Sequence, residues 1–190
     1  MIYLLLADGF EEVEALTPLD LLRRAGKEVR TVSISASRAV CGAHGITVLA
    51  DLTADEVTEP CDELLILPGG MPGTLNLDAS AVTDRLLGEV TARGGHVGAI
   101  CAAPLILGKR GLLSSRRAVC YPGFEAELVG ATVLDTSVVT DGQFTTATGA
   151  GVAVLFGAEL VRVLCGVETA KKLLASFRYS NLQNERELFV

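Results

Sequence analysis

Tryptophan is absent from this 190-residue chain, aromatic residues make up only 5% of it, and no basic cluster exceeds a Lys/Arg pair. No apolar run approaches the roughly 20 residues that span a bilayer, and no basic segment precedes an apolar one at the start of the sequence. Sixteen basic and 23 acidic residues give a net charge of −7, which argues against nucleic-acid binding. We therefore expect a cytoplasmic protein without membrane or nucleic-acid partners.

Paired cysteines and clustered histidines are also missing. The cysteines are odd in number, widely spaced and free of any C-x-x-C pair, which argues against a disulfide framework and a zinc cluster: Cys41, Cys61, Cys101, Cys120 and Cys165. The two histidines, His44 and His96, have no Cys, Asp or Glu nearby in the sequence at ligand spacing. The sequence therefore predicts no metal site and no cofactor.

Aliphatic residues and glycine are abundant in the sequence. Hydrophobic residues make up 49% of the chain, and 20 glycines provide many turns. No repeat or Pro/Ser-rich linker divides the sequence, so we predict a single domain over residues 1–190 with a core of Leu, Val, Ala and Ile.

Strand and helix patterns alternate along the chain. Short apolar runs predict strands at residues 2–7, 28–35, 64–67, 96–100, 117–121, 133–139 and 144–148, with a hairpin at 40–50. Helical spacing predicts helices at residues 11–24, 79–92, 102–107, 125–129 and 151–164. This alternation favours an α/β fold with a mostly parallel sheet covered on both faces, in which Asp141-Gly142 joins the last two strands as an antiparallel hairpin.

One cysteine falls where a buried strand is predicted to turn abruptly into a helix. Cys101 lies between the apolar run that ends at Ile100 and a helix with Pro104 near its start. A thiol there would feel the positive end of the helix and unpaired backbone N–H groups, which would lower its pKa. The alternative is a buried structural cysteine.

Two other loops are expected beside Cys101, because ligands of open α/β sheets bind at the carboxyl ends of parallel strands. These loops are residues 8–14, after the first strand, and residues 68–73. Gly69 and Gly70 would let backbone amides approach a ligand, so the amides of Gly70 and Ala102 could form an oxyanion hole. The alternative is an ordinary turn at the end of a strand.

Histidine is not expected to activate Cys101. His96 lies five residues earlier on the same strand, which at about 3.3 Å per residue places it roughly 16 Å away. His44 belongs to the separate hairpin, and nothing in the sequence directs it to the site. Residue 102, where a peptidase-like dyad would need histidine, is alanine.

A carboxylic acid is the remaining partner for the thiol. The loop after the first strand provides Glu11, Glu12 and Glu14. We interpret Glu11 and Glu12 as solvated acids in the first turn of a helix, where the helix dipole favours them. If Glu14 lies in an apolar site, desolvation would keep it protonated and able to donate a hydrogen bond to a thiolate, but spacing alone does not decide its role.

Three motifs resemble those of the DJ-1/ThiJ/PfpI superfamily, in the same order: G-F-E-E-V-E at residues 9–14, L-P-G-G at 67–70 and A-I-C-A-A-P at 99–104. The resemblance covers nearly the whole chain. It implies a flavodoxin-like three-layer sandwich with a nucleophile elbow and a homodimer. It also implies that Cys101 is the reactive thiol and Glu14 the protonated carboxyl beside it. We expect Gly69 and Tyr121 to line the site.

The chain departs from the family pattern at two places. Several members carry T-H-P where this sequence reads Cys120-Tyr121-Pro122, and R-G-P-G where it reads T-G-A-G at residues 148–151. The first change removes the histidine partner, although Tyr121 could donate a hydrogen bond. A cysteine peptidase or amidotransferase-like mechanism needs a histidine after the elbow or a downstream His-x-Glu pair, and because neither occurs we set it aside.

The resemblance implies chemistry on reactive aldehydes without a cofactor. We expect a glutathione-independent glyoxalase or a deglycase, of hydro-lyase or hydrolase type, whose substrate is a small 2-oxoaldehyde or a glycated thiol or amine. The alternative is a non-enzymatic oxidative-stress sensor or redox chaperone that uses oxidation of Cys101.

Overall fold

The computed structural model describes residues 1–179, which form a seven-stranded sheet and two small two-stranded sheets. The strands are β1 (Ile2–Leu6), β2 (Val29–Ser33), β3 (Ala39–Cys41), β4 (Thr47–Leu49), β5 (Leu52–Thr53), β6 (Leu64–Leu67), β7 (His96–Ile100), β8 (Arg117–Ala118), β9 (Thr132–Val133), β10 (Val138–Asp141) and β11 (Phe144–Ala147). The order in the large sheet is β10-β11-β7-β6-β1-β2-β5.

The central strands are apolar throughout because both faces of the sheet are covered. In β1, Tyr3 and Leu5 face one core, whereas Leu4 and Leu6 face the other. Strands β2, β1, β6, β7 and β11 run parallel, and only β10 is antiparallel to its neighbour β11. The predicted mostly parallel α/β sheet is confirmed.

Helices form the outer two layers. They are α1 (Glu12–Arg24), α2 (Gly73–Asp78), α3 (Ala81–Ala92), α4 (Pro104–Lys109), α5 (Ala153–Cys165) and α6 (Val167–Ser176). Apolar side chains of α2, α3 and α4 pack in one core, and those of α1, α5 and α6 pack in the other. This arrangement is the predicted three-layer sandwich. None of the helices within residues 1–179 has the length and apolar character needed to span a bilayer.

Several predicted boundaries are wrong. The strand predicted at 133–139 is divided: β9 pairs with β8 in a separate sheet, and β10 begins only at Val138. The segment between them is mostly exposed, so no core holds it in a continuous strand. The strand predicted at 117–121 stops at Ala118, and the helix predicted at 79–92 begins at Ala81. Helix α6, strand β5 and helix α2 were not predicted.

The strand order places three loops side by side. Strand β6 lies between β1 and β7, and its last residue, Leu67, is paired with Ala99 of β7. The segments that follow Leu6, Leu67 and Ile100 therefore leave the same edge of the sheet. This edge carries the candidate site.

Candidate active site

Cys101 occupies a strained turn immediately after β7. Its φ angle is 65°, in the left-handed region that residues other than glycine rarely adopt. Its N–H donates to the Ala147 carbonyl at 2.9 Å, and its own carbonyl accepts the Tyr121 N–H at 2.7 Å. Such a conformation costs about 1–3 kcal/mol, and these two hydrogen bonds hold it in place. The predicted elbow is present.

Glu14 faces this elbow from the first turn of α1. Its side chain is wholly buried, and its Oε2 atom accepts the Gly69 N–H at 2.9 Å. The other carboxyl oxygen, Oε1, has no hydrogen bond of normal geometry to any atom of residues 1–179. Burial raises the pKa of Glu14 to about 7, although the nearby Cys101 thiol and Gly69 amide oppose this shift. A carboxyl group with such a pKa can both donate and accept a proton near neutral pH.

Gly69 separates the Glu14 carboxyl from Cys101 and leaves no room for a side chain. A Cβ atom on Gly69 would lie 2.5 Å from Oε2 of Glu14 and 2.6 Å from Cβ of Cys101. The Glu14 and Cys101 side chains therefore flank the same glycine. This close approach explains why a glycine is needed at the first position after Pro68.

We expect Gly69→Ala to destabilise the protein by about 2 kcal/mol, because overpacking must displace either Glu14 or Cys101. Gly88→Ala is the matched control, since a Cβ on Gly88, within α3, meets no atom within 4 Å. That change should stabilise the helix by about 1 kcal/mol. Chemical denaturation measures both values, and a Gly69→Ala protein as stable as wild type would contradict the crowding seen here.

The pKa of Cys101 is shifted in the direction opposite to the sequence-based expectation. Burial, followed by the neighbouring Glu14 carboxyl, raises the pKa of the thiol to about 12, against the lowering effect of the Ala102 and Gly70 amides. The prediction of a lowered pKa from the helix start alone is therefore wrong for this arrangement. A proton on Glu14 would remove the repulsion between the carboxylate and a thiolate, so the ionisation of the two groups is linked.

The remaining predicted site residues lie around this pair. Gly70, with a φ angle of 90°, and Ala102 direct amides close enough to influence the Cys101 thiol. Tyr121 is half-exposed and contacts Cys101 through its backbone. Its ring would lie 3.3 Å from a Cβ on Gly149. The structure therefore brings all six predicted residues together, while their catalytic roles remain predictions.

The burial of Glu12 beside His44 contradicts the interpretation of Glu12 as a solvated acid. Glu12 is buried, and its carboxylate accepts the His44 backbone N–H and the His44 Nδ1–H, each at 2.9 Å. These bonds lower the pKa of Glu12 to about 2 despite its burial. The ligating atoms of Glu11, Glu12 and His44 all lie within 4.8 Å of one another, so an acid-histidine cluster exists that sequence spacing did not reveal. Its observed role is to fasten the β3-β4 hairpin to α1.

His96 stays away from the thiol, as its position on β7 predicts. Its ring is buried at the beginning of the strand, and Nε2 lies 2.7 Å from the Thr145 hydroxyl oxygen. Burial lowers the pKa of His96 to about 4, so the ring is neutral at physiological pH. The structure thus offers Glu14, and no histidine, as the titratable partner of Cys101 among the described residues.

A cysteine on a strained strand-to-helix turn, facing a buried carboxyl group at the carboxyl edge of a parallel sheet, defines a nucleophile-elbow α/β protein. The family model for the DJ-1/PfpI family matches residues 1–163, and the chain belongs to that family.

Curated relatives agree with this assignment. Protein dj-1beta of Drosophila melanogaster is 34% identical over 179 residues, which cover 91% of this chain and 96% of the relative. A protein named deglycase from Pyrococcus abyssi is 34% identical over 166 residues, covering 86% and 98%. Protein DJ-1 homolog B of Arabidopsis thaliana is 36% identical over 86% of this chain, but the match spans only 38% of that longer protein.

Solved structures share the fold. Oxidized DJ-1 of Toxoplasma gondii superposes with a TM-score of 0.89 at 32% identity, over 94% of this chain and 98% of that one. DJ-1beta of Drosophila melanogaster gives a TM-score of 0.86 at 30% identity, over 93% and 97%. The flavodoxin-like architecture is therefore confirmed, and relatives named deglycase indicate enzymatic activity within the family.

Proposed function

We propose that Cys101 and Glu14 form the nucleophile and proton-transfer pair of a cofactor-independent enzyme that acts on reactive 2-oxoaldehydes or on their adducts with thiols and amines. The observation that carries this proposal is the Glu14 carboxyl group. It is wholly buried, one oxygen is fixed by the Gly69 N–H, and the other has no hydrogen-bond partner within residues 1–179. Relatives named deglycase support adducts as substrates.

The reaction begins when Glu14 takes the thiol proton and the Cys101 sulfur bonds to the aldehyde carbon. The amides of Gly70 and Ala102 stabilise the alkoxide, which then receives the proton from Glu14. The Glu14 carboxylate next removes a proton from the former aldehyde carbon, which gives an enediolate, and returns it to the adjacent carbonyl carbon, while the hydroxyl proton moves from the first oxygen to the second. The product is a 2-hydroxyacyl thioester on Cys101, and water releases the 2-hydroxy acid and restores the thiol.

Lactate formation from methylglyoxal in the absence of glutathione tests this function directly. Release of free amine or thiol from a methylglyoxal adduct, followed in parallel, separates a deglycase from an enzyme that uses only the free aldehyde. Neither lactate nor adduct cleavage above the uncatalysed rate would refute the proposed activity.

A second candidate is a thiol sensor, and the same two side chains favour it. Cys101 is only partly buried, so oxidants have access to the sulfur. A protonated Glu14 and the Gly70 and Ala102 amides could donate hydrogen bonds to the oxygens of a sulfinic acid. One solved relative is described as oxidized DJ-1.

We expect mild peroxide to add two oxygen atoms to the wild-type chain, at Cys101, because a protonated Glu14 does not repel the thiolate that peroxide attacks and can donate a hydrogen bond to the sulfinate formed. Intact-mass analysis with peptide mapping locates the addition, and Cys41→Ser, which removes an exposed cysteine, is the control. If Cys101 stays reduced while Cys41 is oxidised, the sensor function is contradicted.

We also propose that the chain forms a homodimer through α1 and the β3-β4 hairpin. Three apolar side chains, Val13, Ile46 and Leu49, are exposed by 49%, 56% and 75%. The Glu12-His44 bonds place the hairpin beside the first turn of α1, so these side chains belong to neighbouring elements. Large exposed apolar groups on adjacent elements are typical of an interface.

Leu49→Glu is expected to shift the protein from dimer to monomer in light scattering, because the charge would be buried in the interface. Leu75→Glu, at another exposed leucine on α2, should leave the mass unchanged. A wild-type monomer at micromolar concentration would refute this interface.

A further inference from the structure

Strand β10 forms one edge of the large sheet and turns hydrogen-bonding groups outward. Asp141 and Phe144 close a two-residue hairpin loop, and the Thr148 N–H donates to the Ser137 carbonyl at 3.1 Å. In an antiparallel ladder, residues that exchange hydrogen bonds with the partner strand alternate with residues that do not. Val139 therefore bonds to β11, whereas the backbone N–H and C=O groups of Val138 and Thr140 point away from β11. No backbone hydrogen bond from residues 1–179 engages these outward groups.

A groove runs beside this edge. It is a cavity of about 940 Å³ that follows β10. Its lining includes Leu155 and Glu159 of α5 and, from the segment between β8 and β10, Tyr121, Pro122 and Leu134. An added strand would therefore contact side chains of both segments.

The groove ends beside the Cys101 site. Tyr121 and Gly149 line the cavity, and Tyr121 is bonded through its backbone to Cys101. A Cβ on Gly149 would lie 3.9 Å from Oε1 of Glu14. A segment held along β10 would thus bring one end next to the carboxyl oxygen that lacks a hydrogen-bond partner.

Charge indicates what kind of segment fits. The groove is lined by three charged side chains, two of which are engaged: Arg117 by Asp141, and Glu159 by Arg162. The third, Asp135, is exposed and forms no ion pair with any residue in the described part of the chain. An uncompensated carboxylate favours a cationic partner.

We propose that this groove binds an extended, basic segment of another polypeptide as an eighth strand on β10. The four residues of β10 span about 14 Å, enough to align a short peptide through its backbone while a lysine or arginine contacts Asp135. The inference stands apart from the proposed function, because it concerns what binds at this sheet edge and not what Cys101 does.

Binding is measured by fluorescence polarisation with a labelled hexapeptide of alternating lysine and valine. Full-length Cys101→Ser protein is used, so no turnover is needed and the result is independent of the lactate assay. Saturable binding is expected. N-methylation of the four central amides should weaken it at least ten-fold, because methylated amides cannot pair with a strand edge.

Asp135→Asn should weaken binding two- to five-fold, and Asp55→Asn, which removes the same charge near β5 at the opposite edge of the sheet, should have no effect. Val138→Pro, which removes one outward N–H at an edge position that tolerates proline, should also weaken binding several-fold. Circular dichroism confirms that each variant is folded. Equal affinity for the methylated peptide, equal effects of the two aspartate variants, or assembly of the protein through this edge in place of peptide binding would overturn the proposal.

Discussion

Replacing Cys101 by serine is expected to lower glutathione-independent lactate formation from methylglyoxal by roughly 10³- to 10⁵-fold, the loss typical of removing a covalent nucleophile. A hydroxyl group in the same place is a far weaker nucleophile, because its pKa lies well above that of a thiol. The oxygen would also be too weak an acid to give its proton to Glu14. The measurement is the initial rate of lactate production under saturating substrate, compared with the rate in buffer alone.

The strained backbone at Cys101 makes serine the appropriate replacement. Serine is close to cysteine in size and adds no new atom to the turn, whose φ angle is 65°, so the hydrogen bonds to Ala147 and Tyr121 can persist. Cys165→Ser is the control, because it removes a partly buried thiol at the end of α5 without touching the site. If the Cys101→Ser protein forms lactate as fast as wild type, Cys101 is not the nucleophile.

The sequence predicted the central part of the site because each contributing segment carries a local signal. An apolar strand, a glycine pair and a strand-to-helix junction can each be identified within a few residues. Parallel topology then brings the ends of β1, β6 and β7 to one edge, so the loops that carry Gly69 and Cys101 meet the loop of the three glutamates. The choice of Glu14 among those glutamates came from the family resemblance. Long, locally encoded elements are the predictable part of this fold.

The errors arise where long-range contacts decide the outcome. Glu12 was interpreted as solvated because nothing near it in sequence covers it, yet the hairpin carrying His44 folds back over it from more than 30 residues away. Neither the burial of Glu12 nor its partner is written in the local pattern. Helix α6 is a different case, because its buried apolar side chains, Ala170, Leu173 and Leu174, have the spacing of an amphipathic helix and are a local signal.

The same limitation explains the wrong direction for the pKa of Cys101. The position of a helix start is a local property, and it favours a thiolate. Desolvation depends on how completely other elements cover the thiol, and the second charge comes from α1, nearly 90 residues earlier. In this site the covering elements outweigh the local dipole, so the ionisation state belongs to the Cys101-Glu14 pair rather than to either residue alone.

Glu14→Gln is expected to increase stability at high pH and to lower activity, and the two effects have one cause. The pKa of Glu14 rises from 4.5 to about 7 on folding. A carboxyl group with a raised pKa stabilises the folded state fully below pH 4.5, and this contribution is lost as pH rises through about 7. A shift of that size corresponds to about 3 kcal/mol. Glutamine stays neutral and avoids this loss.

The free energy of unfolding, measured between pH 4.5 and 8.5, should therefore fall in wild type relative to Glu14→Gln by about 3 kcal/mol as pH increases. The exposed residue Glu127 provides the control, since Glu127→Gln should follow the wild-type pH dependence. Activity should fall by about 10²- to 10⁴-fold in Glu14→Gln, because glutamine cannot carry the proton between the two substrate carbons. If the free energies of unfolding of wild type and Glu14→Gln change with pH in the same way, Glu14 ionises in the folded protein without an energetic penalty. The proton-transfer role of Glu14 would then lose its physical basis.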